Sequence, residues 1–152
     1  MSDTLLVIHI LAVAVWFGGI LALSFAASTL QGADAAARRW FADAQLAVGR
    51  IVFSAAGILT LISGIWLVID SERGISMGST FVSIGFLVVI IGTVLGIGVY
   101  APACKQMIAA VDAGDAASEA AASRKLTTTN AVNAILLLVA VVAMVGEWGI
   151  RF

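Results

Sequence analysis

His9 is the only histidine in the chain. It stands in "HILAVAVWFGG", a run otherwise made of aliphatic and aromatic residues and a glycine pair. An imidazole can move a proton or bind a metal, and iron and copper both take it as a ligand. At 100° per residue, His9, Ala12, Val13, Trp16 and Ile20 share one helical face. Near the C-terminus, Asn133, Leu137, Ala140, Met144, Glu147 and Arg151 form a second stripe. The Met144 thioether suits Cu(I), and the Glu147 carboxylate suits proton transfer or pairing with a charged ring. The candidate binding group is therefore His9, Trp16, Met144 and Glu147, with His9 and Met144 as candidate metal ligands for haem or copper. Cys104 and Met107 fall at the far end of their own segment, too distant to join them. No Ser-His-Asp arrangement can be placed together, which gives nucleophilic catalysis little support; the balance leans away from an enzyme without deciding it.

The elements that must position these groups are membrane spans. Hydrophobic residues make up 62% of the 152 residues and charged residues 11%, whereas an ordinary soluble domain is about half apolar and a quarter charged. Four apolar stretches reach the roughly 20 residues that a crossing needs, near 4–30, 48–69, 79–104 and 129–149. Backbone groups in lipid must be satisfied within the segment, so the expected fold is all-α, an antiparallel up-and-down bundle of four transmembrane helices forming a single domain, residues 1–152. A net charge of −1 argues against nucleic acid as a partner. One Cys and one Pro exclude a disulfide framework.

Basic residues in short loops set orientation. Arg38, Arg39 and Arg50 cluster around the first loop, and Lys105, Arg124 and Lys125 around the third. The expected topology places both termini outside the cell membrane and loops 31–47 and 105–128 in the cytoplasm. The third loop is rich in Ala, a strong helix former, and reads as extensions of helices three and four around a turn near Gly114. His9 and Met144 each lie about five residues inside the outer ends of their spans, roughly 8 Å deep at the α-helical rise. Glu147 is a turn nearer the outside. A shared outward-facing pocket then requires helices one and four to be neighbours.

Small residues predict where helices approach. Gly78, Gly85, Gly92, Gly96 and Ala103 lie on one stripe of the third span, and such stripes allow close contact in lipid. Gly85, Gly92 and Gly96 are the candidate packing positions, within the bundle or against a second copy. Gly18, Ala22 and Ala26 lie opposite the His9 face, which predicts protein on both sides of helix one. Arg50, Ser54, Gly57, Leu61 and Gly64 share a face of the second span. Arg50 at its end is expected to snorkel, or to pair with Asn133 or a loop acid.

The spacing His, six residues, Trp, one residue, Gly-Gly resembles the first span of copper-resistance D (CopD-like) membrane domains. It is also similar to a family of small four-span predicted integral membrane proteins. The second span, "RIVFSAAGILTLISGIWLV", resembles theirs in its leading Arg and its "SGIWLV" ending. A more distant likeness, carried by His9 and Trp16, is to HemJ-type protoporphyrinogen oxidases, which implies haem. This chain reads "ILALSFAAS" where that family has an Arg and aromatic residues. Three functions follow as expectations: a structural or accessory membrane subunit working with other subunits or as a homo-oligomer, a haem- or copper-binding protein using His9, or a small transporter. An acid beside His9 would make it an acid–base or ligand site. A hydroxyl or carbonyl beside it would make it a cross-link between helices.

Overall fold

The computed structural model describes residues 2–30, 32–71 and 75–146. It is 90% helix with no strand among the described residues. Four helices follow one another: α1 (Ser2–Thr29), α2 (Ala35–Ile69), α3 (Thr80–Ala113) and α4 (Ala116–Val145). All four are long and apolar enough to cross a membrane. The chain is thus an all-α, multi-pass membrane protein.

Three helix ends differ from the apolar spans. α2 begins at Ala35 rather than near 48, α3 runs to Ala113 rather than 104, and α4 begins at Ala116 rather than 129. Most of loops 31–47 and 105–128 is therefore helical. Apolar length measures the lipid crossed, whereas helix length follows propensity and caps. "AAARRWFADAQLAV" is Ala-rich and starts at Asp34, whose side chain accepts from the Ala37 N–H at 2.7 Å. The tight turn at Gly114 matches the expected reversal. Gly114 is left-handed, φ 66° and ψ 23°, a conformation that costs glycine little. Asp115 then caps α4 by accepting from the N–H groups of Ala117 and Ser118. The expected end of the fourth span, at 149, lies outside the described residues.

α2 and α3 each contain one π-helical turn, at Gly49–Phe53 and Gly96–Tyr100. Pro102 explains the second. It lacks an N–H and its ring crowds the preceding turn, so the helix widens just before it. The two turns lie side by side: a Cβ at Gly49 would stand 3.5 Å from the Tyr100 ring.

The bundle closes in the order α1, α2, α3, α4. α1 packs along the second half of α2 and also touches α4, and α4 packs along α3. α2 and α3 are tightly packed where the first half of α2 meets the last half of α3. Beyond the π turns they barely touch. At roughly 1.5 Å per residue, the 35 residues of α2 and 34 of α3 outrun a hydrocarbon core about 30 Å thick. Their overhang is laced by Arg38 to Glu119 at 2.6 Å, Arg39 to Asp112 at 2.7 Å and Lys125 to Gln106 at 3.0 Å.

Candidate functional site

At the end of the bundle that carries the N-terminus, the gap between α2 and α3 forms a cleft of about 890 Å³. His9 of α1 and Met144 of α4 both line it, together with Thr60 and Gly64 of α2 and Gly85 of α3. Helices one and four are neighbours, so two of the four candidate binding residues meet here. Trp16 is buried deeper and does not line the cleft. Glu147 and Arg151 lie outside the described residues.

The His9 ring is positioned by α2. Its Nδ1 stands 3.0 Å from the Ser63 hydroxyl. A Cβ at Gly64 would come within 3.2 Å of His9 Cε1, so glycine is what lets the ring lie against the helix. Ser63 Oγ in turn donates to the Leu59 carbonyl, one helical turn back. A hydroxyl has a single proton. With that proton directed at Leu59, the ring donates from Nδ1 to Ser63, and Nε2 carries the lone pair. This is the hydroxyl-partner case: His9 cross-links α1 to α2.

Thr60 stands one turn before Ser63. It is 6% exposed, and its Oγ1 has no hydrogen-bond partner among the described residues. Sequence patterning missed Ser63 and Thr60. The available signal was their spacing: two hydroxyls three residues apart in an apolar span share a helical face, and Gly64 adjoins it. Asp3, Asp70 and Ser71 border the cleft at the helix ends.

Trp16 serves packing. A Cβ at Gly57 would lie 3.6 Å from its ring, and one at Gly92 would lie 2.8 Å away. The tryptophan fills the space between α2 and α3 at mid-bundle. Gly92 also faces the Asn133 Oδ1, which is buried without a hydrogen-bond partner among the described residues. Gly85 abuts Met144, whose methyl would lie 2.7 Å from a Cβ there. Gly96 departs from the expected stripe, since nothing lies within 4 Å of a Cβ at that position. The π turn begins at Gly96, and beyond it Ala103 of the same stripe is buried. The opposite face of α1 departs too: Gly18 and Ala22 are exposed, Ala26 is half-buried, and Gly18 meets nothing within 4 Å, so no described helix covers Gly18 and Ala22. Arg50 is exposed and makes no ion pair among the described residues.

The donors do not fit a haem or copper centre well. His9 contributes one nitrogen, since Nδ1 is engaged by Ser63. Met144 directs its methyl onto Gly85. Among the described residues no three His, Cys, Asp or Glu side chains come together. Cys104 is buried at the opposite end of α3.

No family model, curated protein or solved structure matches the chain.

Proposed function

We propose that this protein is a non-catalytic, structural or accessory subunit of the cell membrane, with both termini outside and the α2–α3–α4 overhang in the cytoplasm. The observation that carries this reading is the His9–Ser63 hydrogen bond. The single imidazole of the chain is engaged in holding α1 against α2. Trp16, Gly57, Gly64 and Gly92 serve the same packing.

A haem- or copper-binding role, which the CopD-like and HemJ-type resemblances imply, is the second reading. It is favoured by one observation, that His9 and Met144 line the same cleft.

Absorption spectroscopy and metal analysis of the purified protein, compared with His9→Gln, separate the two. Under the subunit reading, the protein shows neither a Soret band nor stoichiometric copper, and His9→Gln keeps its fold and thermal stability close to the parent. A Soret band or bound copper that disappears in a folded His9→Gln variant would overturn it.

A further inference from the structure

We infer that a second cavity, at the opposite end of the bundle from the cleft, binds a small uncharged molecule through a hydrogen-bond donor beside an acceptor, the edge that a nucleobase or a carboxamide presents. This goes beyond the subunit role and does not depend on it.

The cavity follows from the helix packing. α1 packs along the second half of α2 and parts from its first half. The space between them, walled on the other side by α4, has a volume of about 490 Å³. Small-molecule sites span about 300–1,000 Å³.

The first observation is the side-chain amide of Gln45, which lines this cavity. Gln45 is only 3% exposed. A buried amide ordinarily finds a partner, as Asn130 on the same wall does by donating to Ser24 Oγ at 3.2 Å. The Gln45 amide forms no hydrogen bond among the described residues. Unlike the orphaned oxygens of Thr60, Tyr100 and Asn133, it is not sealed off, and its remaining surface belongs to the cavity wall. A primary amide offers an N–H and a carbonyl oxygen side by side. A ligand that satisfies both carries an acceptor next to a donor, as adenine does when glutamine reads its N6 and N7.

The second observation is that the charges on the wall are already matched. Arg38 and Glu119 both line the cavity, and they pair with each other at 2.6 Å, joining α2 to α4. Arg38 also donates to the Ala33 carbonyl. No uncompensated charge is left to receive an ion, and burying an unpaired one is costly. The occupant is therefore uncharged. Phe41 and Met107 complete the wall, and aromatic and thioether groups suit the face of a flat ring.

The test is thermal stability of the purified protein titrated with adenosine and with nicotinamide, since a ligand that binds only the folded state raises stability with its occupancy. Each is compared with an analogue that keeps the acceptor and lacks the donor: purine riboside for adenosine, methyl nicotinate for nicotinamide. Saturable stabilisation is expected with at least one of the two ligands, and which one assigns the edge to a nucleobase or a carboxamide. Its analogue should bind about tenfold more weakly, the value of one hydrogen bond. Gln45→Met keeps the length of the side chain and removes the amide. It should weaken the ligand at least tenfold while leaving the ligand-free melting temperature unchanged or higher, because an unpaired buried amide is gone. Absence of a saturable shift with both ligands, analogues that bind as tightly as their parents, or unchanged binding in Gln45→Met would overturn the proposal. The analogue comparison uses the parent protein alone, so it stands even where the variant fails to fold.

Discussion

Ser63 has one hydroxyl proton, directed at the Leu59 carbonyl, so the bond to His9 is donated by the ring. Removing either partner then has unequal consequences. Ser63→Ala leaves the buried imidazole N–H with only the Thr60 backbone as partner, a loss of about 1 kcal/mol. In His9→Ala, Ser63 retains its own carbonyl and the cost is chiefly lost packing. A double-mutant cycle on thermal or denaturant stability should return a coupling of about 0.6–1.5 kcal/mol, the range for side-chain hydrogen bonds in membrane bundles. Additive effects would show that the two side chains do not interact. Asp115 is a second single-residue control, at the turn outside the spans. The Ser118 hydroxyl, then the Ser118 and Ala117 N–H groups, hold its carboxyl below the usual carboxylate range, outweighing a small opposing effect of burial. A depressed value in the folded state means that the cap contributes fully above the unfolded carboxylate value of about 3.9 and is lost as pH falls through the folded one. Hydrogen-exchange protection of the Ala117 and Ser118 amides should accordingly fall in acid. The same acid loss in Asp115→Asn would assign it to another group.

Among the helices, seven-residue spacing governs α1 against α2. His9 meets Gly64 and Trp16 meets Gly57, pairs seven apart in each helix and running in opposite directions. Such a repeat keeps one seam facing a left-handed neighbour, and each glycine accepts a ring. α3 repeats the device once, with Gly85 under Met144 and Gly92 under Trp16 and Asn133. Gly92→Leu should therefore destabilise the protein by about 1–3 kcal/mol through overpacking, read as a lowered melting temperature in detergent, while Gly96→Leu should leave it unchanged. Equal effects would mean that the stripe is not a contact. The four apolar stretches and the Gly114 turn were legible from hydropathy and composition, because burial in lipid and Ala-rich helix extension are local properties. The His9 and Trp16 face was legible for the same reason. Its partners were not. Nothing in "LTLISG" says which hydroxyl turns toward α1, since that depends on the register between two helices. The π turns were hidden as well. They interrupt the regular pitch in mid-helix; the stripe projected at constant pitch runs true through Gly85 and Gly92, meets open space at Gly96 where the turn begins, and is buried again at Ala103 beyond it. Pro102 was the visible sign of one of them.

For the whole molecule, the two ends of the bundle have opposite character. One carries the N-terminus and the cleft, bordered by Asp3 and Asp70. The other carries the Gly114 turn, the overhanging halves of α2 and α3, and the basic residues Arg38, Arg39, Lys105, Arg124 and Lys125. The Arg39–Asp112 pair is half-exposed, at 47% and 50%, whereas Arg38–Glu119 is more enclosed, at 27% and 20%. A pair as open to solvent as Arg39–Asp112 contributes about 0–1 kcal/mol, so it aligns the overhang more than it holds it together. Positive charge in short connections is retained on the cytoplasmic side, so the topology proposed above directs the overhang inward and opens the cleft toward the outer half of the bilayer. Thiol labelling reads this directly, because the native Cys104 is fully buried and gives no background. Ser76 and Ala117 are exposed at opposite ends. In intact cells, a membrane-impermeant maleimide should label Ser76→Cys and should reach Ala117→Cys only after permeabilisation. The reverse pattern would invert the topology and place the cleft in the inner half of the bilayer, leaving the His9–Ser63 cross-link and the helix order as they are.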